Sequence, residues 1–282
     1  MAITEGLVHA ILGPEDIDGA MDLVVEAGWN QIAEDWRLMC QAGEAIVLRE
    51  DNGIPGATAL ALPYPGGFGW ISMVLVTSVL RRKGLATQLL NDRVAWLQAR
   101  GLVPVLDATE AGEQVYLKAG FATGLRFTRW QGERTGAHAP QGDIRVASET
   151  DLHWIQALDA AVFHADRGDI ILDFLYRPGS KCFVSNHSKT GFIIARQGLR
   201  ATQFGPLVAD TEEEAIQLLD AALSETDGPV FFDLLDTRSK LAAHVASLGF
   251  EKQRGFARMS LGQAPDFDGG GRTMIIAGPE YG

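Results

Sequence analysis

The run Arg81-Arg82-Lys83-Gly84-Leu85-Ala86-Thr87 concentrates the chemistry of this chain. It follows an apolar stretch, Ile71 to Val76, that reads as a buried strand. After it, Leu85, Leu89, Leu90, Val94 and Leu97 recur at helical spacing. The cations therefore fall at a helix start, where backbone N–H groups lack internal partners and the helix dipole is positive. With a glycine that lets an oxygen approach the backbone, such a turn suits a phosphorylated ligand. The same residues would also make an ordinary basic helix terminus on a surface. Other chemistries find no pattern. The histidines (9, 138, 153, 164, 187, 244) show no paired ligand spacing, so no metal is expected. Gly-x-Ser-x-Gly is absent, and so is the Gly-x-x-x-x-Gly-Lys-[Ser/Thr] phosphate loop, which excludes an ATP site of that type.

The elements that must hold this turn follow from periodicity and punctuation. A short strand over 7–12 precedes the helix start Gly13-Pro14-Glu15-Asp16. Helices follow over about 15–27 and 30–42, broken at Gly28, with Trp29-Asn30-Gln31 at the break. Strands 44–50 and 56–62 are joined by Asp51-Asn52-Gly53. After the cationic turn the helix runs to about Arg100 and stops at Gly101. A strand over 103–107, a helix from Ala111 to Ala119 and a hairpin-like stretch over 122–131 complete the pattern. Gly132 to Gly142 reads as a linker, or as a long loop within one domain.

The order then repeats: strand 143–146, helices 151–163 and 169–177, strands 181–185, 190–196 and 200–208, helix 211–223, strand 230–235 and helix 239–248. Gly249-Phe250 echoes Gly120-Phe121, and the same count back from each Phe reaches Asp107 and Asp236. A duplication aligned there without a gap is inferred, giving domains over 1–135 and 143–282. Asp268-Gly269-Gly270-Gly271-Arg272 reads as a loop rather than a phosphate site, and Thr273 to Ala277 as a strand that returns to the body.

Composition narrows the partners. The chain has 282 residues, 46% of them hydrophobic, with a net charge of −12. That charge argues against nucleic acid, whose binding rests on neutralising phosphates. No apolar run approaches the roughly 20 residues that span a bilayer, and the first residues show no signal-peptide pattern. Cys40 and Cys182 sit far apart in apolar surroundings, as buried thiols of a reducing cytoplasm would. A cytoplasmic protein with no membrane partner is expected.

Arg-x-x-Gly-x-Ala over residues 81–86 resembles the pyrophosphate loop, (Arg/Gln)-x-x-Gly-x-(Gly/Ala), of the GCN5-related N-acetyltransferases, GNAT for short. Tyr116-Leu117-Lys118-Ala119-Gly120-Phe121 resembles the Tyr-x-x-x-Gly-Phe ending of that family's fourth helix. The element order over residues 1 to about 132 resembles its fold. Gly28-Trp29-Asn30, Leu106-Asp107-Ala108-Thr109, Ala165-Asp166-Arg167, Gly205-Pro206-Leu207-Val208-Ala209 and Arg258-Met259 extend the likeness across the chain, to the tandem YitH- and HolE-like subgroup with a degenerate second domain. The fold class implied is α+β (mixed αβ): two tandem acyl-CoA N-acyltransferase folds, each a twisted mixed sheet flanked by helices.

The resemblance implies acetyl transfer from acetyl-CoA, by direct attack, to an amine of a small molecule or an exposed protein amine. Backbone groups of Val74, Leu75 and Val76 would meet the pantetheine arm, and residues Arg81 to Thr87 the pyrophosphate. Tyr116 would be the general acid, since a phenol near pKa about 10 can protonate a leaving thiol of about 8.5; a core tyrosine is the alternative. Residues 70–76 contain no carboxylate, so the base is either Asp107 at the end of the next strand or a water chain. Trp29 at the helix break and Thr109, where many relatives carry Asn, fall on the substrate side; Trp29 would serve equally as a buried structural residue.

The second copy has Asp210-Thr211-Glu212-Glu213-Glu214 where the first has its cations, and Val245 where the first has Tyr116. Thr211 with Glu214 forms a capping box there. This copy is expected to bind no coenzyme. A homodimer is compatible with the sequence. A coenzyme-binding sensor without turnover is the alternative function.

Overall fold

Strands with buried, β-branched faces order the first part of the chain. The computed structural model describes residues 6–133 and 143–282, and divides into two units: one runs to Leu106 and includes Tyr281, the other runs from Asp107 to Glu280 and includes Gly282. In the first unit β2 (Glu44–Glu50), β3 (Pro55–Tyr64) and β4 (Phe68–Val76) form an antiparallel meander, with β1 (Leu7–Ile11) beside β2. β5 (Val103–Thr109) pairs with β4 in parallel, Phe68–Ile71 against Val103–Leu106.

A parallel pair needs a crossover, and α3 (Leu85–Gln98) supplies it. Its Leu85 and Leu89 pack on Ile46, Leu48, Ala57 and Ala59, one face of the meander. α1 (Ile17–Ala27) and α2 (Ala33–Ala42) bury Leu23, Val24, Trp36 and Met39. Gly28 ends α1 at φ 68, a left-handed cap that glycine adopts without steric cost. β4 begins at Phe68, before the apolar run expected, and α3 begins at Leu85, so Arg81 to Lys83 precede the helix rather than open it.

The second unit contains α4 (Glu110–Lys118), β6 (Ala122–Glu133), β7 (Ile144–Val146), α5 (Leu152–Phe163), α6 (Gly168–Tyr176), β8 (Lys181–Ser185), β9 (Phe192–Arg196), β10 (Thr202–Val208), α7 (Glu212–Ser224), β11 (Pro229–Leu235), α8 (Ser239–Ser247), β12 (Glu251–Ser260) and β13 (Thr273–Ile275). The repeated order expected over 143–248 is therefore present. The hairpin expected over 122–131 is instead one strand. β6 pairs along one edge with β12 and along the other with β11, which leaves no residue for a turn. These two ladders place α4 and β6, the last elements of the first repeat, in the second unit. Of the expected linker, Gly132 lies in β6 and residues 134–142 lie outside the described residues. Among the described residues no helix is long and apolar enough to cross a membrane.

Two buried ion pairs reveal how the repeats correspond. Arg129 and Arg258 stand equally far past Phe121 and Phe250. Arg258 on β12 grips Asp107 with two bonds of 2.9 Å, and Arg129 on β6 grips Asp233 at 2.9 and 2.7 Å. Each aspartate is thus held by the arginine of the other repeat. The counterpart of Asp107 is Asp233, not Asp236, because residues 236–238 separate β11 from α8 whereas β5 runs straight into α4. The gapless alignment holds for α4, α8, β6 and β12 and fails one element earlier. Asp236 instead accepts the Thr128 hydroxyl at 2.7 Å.

Candidate acyl-donor site

β4 changes course at its centre. Its register against β3 shifts between Thr58 and Leu60, and Met73 takes φ 52. A non-glycine residue in the left-handed region marks a bulge, which bends the strand and re-aims its groups. Thr58, fully buried, holds the bulge by donating its hydroxyl to the Met73 carbonyl at 2.9 Å. The parallel ladder with β5 ends at Ile71–Leu106, while the ladder with β3 continues to Val76. Val74 and Val76 pack against the core that α3 covers, which fixes the strand past the bulge.

Residues 77–84 then lead to α3. A single turn of 3₁₀ helix, Ser78–Leu80, is pinned by Glu26 of α1, which accepts the Thr77 hydroxyl at 2.9 Å and the Ser78 N–H at 2.6 Å. Those bonds hold the Glu26 carboxyl below the usual carboxylate range. Arg81 folds back, donating from Nε to the Val76 carbonyl at 3.0 Å and lying 3.4 Å from Glu26. Its guanidinium therefore shapes the loop. Arg82 and Lys83 are exposed and make no ion pair among the described residues.

Arg82 (φ 62) and Gly84 (φ 79) are both left-handed, so the backbone turns sharply twice before the helix. Among the described residues the N–H groups of Arg82 through Thr87 meet no acceptor; the first helical bond is Gln88 N–H to the Gly84 carbonyl. A row of unpaired N–H groups on alternating backbone conformations, at a positive helix end, is an anion nest. A neighbouring groove of about 410 Å³ is lined by Glu50 and Asp51 beside Lys83, and those carboxylates make it a poor place for phosphate.

The remaining expected residues divide. Tyr116, on α4, is half-buried, and burial raises its pKa above the ordinary phenol range. That hydroxyl has no hydrogen-bond partner among the described residues, and its ring lies 6.0 Å from that of Phe121. Asp107 does not suit the role of base. Its side chain has no exposure and both oxygens are taken by Arg258. Burial pushes its pKa up, with Arg258 pulling it down, but no amine can reach an atom so enclosed. Thr109, placed on the substrate side by the sequence, is the N-cap of α4, its hydroxyl 3.4 Å from the Gly112 N–H, a structural role for this side chain.

Trp29 is half-buried just past the α1 cap, its N–H bonded to the Val24 carbonyl. The residues beside it went unassigned in the sequence. Gln31 Oε1 and Trp36 Nε1 are buried without a hydrogen-bond partner among the described residues. Tyr281 counts with this unit: its hydroxyl donates to Asp35 Oδ1 at 3.0 Å and its carbonyl accepts from Tyr64 at 2.8 Å. No local sequence signal marks Glu26 or Tyr281, because each acts on residues distant in the chain.

In the second copy the cationic loop is missing rather than replaced. Residues 77–84 separate β4 from α3, but only residues 209–211 separate β10 from α7. Thr211 caps α7, accepting from the Glu214 N–H at 3.2 Å, and Glu214 returns a bond to the Asp210 N–H at 3.0 Å. Val245 is buried in the core.

Comparison with known proteins identifies the family of both repeats. Residues 18–121 match the acetyltransferase (GNAT) family, and residues 155–269 match an acetyltransferase (GNAT) domain. The chain is 24% identical over 247 residues to the uncharacterized N-acetyltransferase YitH of Bacillus subtilis (strain 168), covering 86% of each. Its fold is similar to that of an acetyltransferase candidate from Pyrococcus horikoshii (TM-score 0.83, 17% identity, 99% of this chain and 96% of that one). It is also similar to a tandem GNAT protein from the clavulanic acid biosynthesis pathway (TM-score 0.67, 14% identity, 92% and 100%). The chain belongs to the GNAT acetyltransferases and carries two such domains in tandem.

Proposed function

We propose that this chain transfers an acetyl group from acetyl-CoA to a primary amine of a small molecule by direct attack. One observation carries the reading: the N–H groups of Arg82 through Thr87 meet no acceptor among the described residues, on a loop pinned by Glu26 just past a bulged strand. The residues present fit a coenzyme diphosphate. The N–H row would hold the pyrophosphate, Arg82 and Lys83 would add charge, and Val74 to Val76 would hold the pantetheine arm. Bound there, acetyl-CoA supplies an activated thioester.

The chain's own groups do the rest. Tyr116 Oη, a phenol protonated at neutral pH whose pKa burial raises further, supplies the proton that the departing sulfur takes. Trp29, half-buried at the α1–α2 break, supplies an apolar wall for the acceptor. Asp107 is spoken for by Arg258, so the amine proton leaves to water. That engagement of Asp107 also favours a second reading, a coenzyme-binding regulatory protein without turnover.

Gly84→Glu places a carboxylate in the nest and a side chain at φ 79, and should abolish acetyl-CoA binding in calorimetry while the protein still folds. Unchanged affinity would end the coenzyme reading. Tyr116→Phe should lower kcat and spare acetyl-CoA affinity. Thiol release over a panel of amines separates enzyme from sensor: no release with any amine, despite tight coenzyme binding, favours the sensor.

A further inference from the structure

β10 and β11 of the second copy begin as β4 and β5 do. Thr202–Phe204 pairs in parallel with Val230–Phe232, as Phe68–Ile71 pairs with Val103–Leu106. Each leading strand then loses register against its antiparallel neighbour, β4 around Met73 and β10 between Phe204 and Leu207. Counted from the last parallel pair, Leu207, Ala209 and Asp233 are the counterparts of Val74, Val76 and Asp107.

Beyond this point the second copy does something the first does not. β13 enters between β10 and β11, pairing Ile275 with both Leu207 and Leu234, and Thr273 with Val208. The Ala209 N–H donates to the Arg272 carbonyl at 3.1 Å, and the Ile276 N–H donates to the Asp233 carbonyl at 3.0 Å. The segment is thus bonded at the positions that correspond to those assigned above to the pantetheine arm.

The cleft is shaped for this occupant. Residues Thr273 to Ala277 are all buried, and Met274 and Ile275 join the core of Phe204, Leu207 and Phe232. Arg196, itself buried, donates from one Nη to the Gly205 carbonyl at 2.8 Å and from the other to the Ala277 carbonyl at 2.6 Å. Gly205 is required by the close approach: a Cβ there would stand 2.1 Å from the Ile276 carbonyl oxygen. Its φ of 136° is also one that side-chain-bearing residues rarely adopt.

We propose that the β10–β11 cleft is a strand-binding slot whose ligand is this chain's own segment Arg272–Ala277, bound by β-strand addition. The segment holds the place that a pantetheine arm takes in the first copy, a comparison that rests on the coenzyme reading above. Main-chain bonds to both walls give the slot affinity and the alternating side-chain pockets give it specificity. A chain therefore carries one acetyl-CoA site, the second being excluded by occupation as well as by its missing loop.

The test introduces a site-specific protease site at the exposed Gly262–Gln263 and cuts the otherwise full-length protein. The released-in-principle fragment should stay with the body through gel filtration, and amide exchange at Ala209 and Ile276 should stay slow. Excess synthetic peptide of residues 272–282 should exchange with it, and the same peptide carrying Ile275→Pro should not. In the uncut chain Gly205→Ala should remove protection at Ala209 and Ile276 together. Retained protection in Gly205→Ala, or loss of the fragment on cutting with Ala209 still protected, overturns the proposal. Calorimetry on the intact chain should give one acetyl-CoA site. Two sites sink the slot; no site sinks the coenzyme reading and leaves the exchange and peptide results to judge the slot on their own.

Discussion

Replacing Arg258 with Met would strand a carboxylate. The Asp107 side chain has 0% exposure, that of Arg258 3%, and two bonds of 2.9 Å join them. An exposed pair such as Arg37–Glu34 contributes less than about 1 kcal/mol, since water serves either partner alone. A buried pair broken from one side costs about 3–5 kcal/mol, because the remaining ion has neither water nor a partner. At roughly 2–4 °C per kcal/mol for a unit of this size, the melting temperature should fall by roughly 6–20 °C. The double variant Asp107→Leu/Arg258→Met leaves no buried charge and should recover most of the loss.

The deficit has a pH signature. Burial already raises the Asp107 pKa, and removing the opposing guanidinium raises it further. A carboxyl whose folded pKa lies above its unfolded value of about 3.9 loses stability as pH rises from that value through the folded pKa. The single variant should therefore lie nearest to wild type in acid and fall away toward neutrality. Scanning calorimetry across that range measures both effects. A single variant that melts with wild type at neutral pH, or a deficit that shrinks toward neutrality, would refute the reasoning. Acetyl transfer by the double variant would remove Asp107 from the proton path by a readout that stability does not touch.

Two further outcomes follow from the same contacts. Thr109→Ala should cost about 0.5–1 kcal/mol, the low end for an N-cap because the bond to Gly112 is long, and should leave kcat unchanged; a large fall in kcat at unchanged stability would return Thr109 to the substrate side. Burial pushes the Cys40 thiol up to about 11 and the Cys182 thiol higher still. Both should resist alkylation near neutral pH in the native protein and react readily once it is unfolded, which mass spectrometry reads directly.

What could be read from sequence was what is local. β2 was legible residue for residue because its buried run ends at Asp51-Asn52-Gly53, a turn that needs no distant partner. The break at Gly28 was legible because it requires a left-handed backbone. The sequence reading of 122–131 as a hairpin fails because the pairing of β6 is settled by β11 and β12, about a hundred residues away or more, and nothing within 122–131 announces them. Periodicity locates helices but not the lengths of the loops between them. An alignment anchored on Gly-Phe therefore hid both the lost loop before α7 and the added residues after β11. Thr109 carries a further local signal: a threonine followed by Glu110 and Glu113 is a helix start, and the structure places it at the N-cap of α4.

The presence of a second copy without a cationic loop of its own has a physical reason in β6. That strand has a ladder on each edge, to β11 and to β12, and buries Phe127 and Trp130 among residues of the second repeat. A chain ended at residue 135 would lose both ladders and expose both aromatic rings together, the kind of long apolar edge that templates aggregation. It would also leave Arg129 without Asp233 and Asp107 without Arg258. Residues 1–135 expressed alone should therefore be insoluble or aggregated, although they contain the anion nest and Tyr116, and co-expression with residues 143–282 should restore soluble protein. A soluble 1–135 monomer with slow amide exchange along 122–133 would show that β6 finds a partner within its own repeat, and the second copy would then need another explanation.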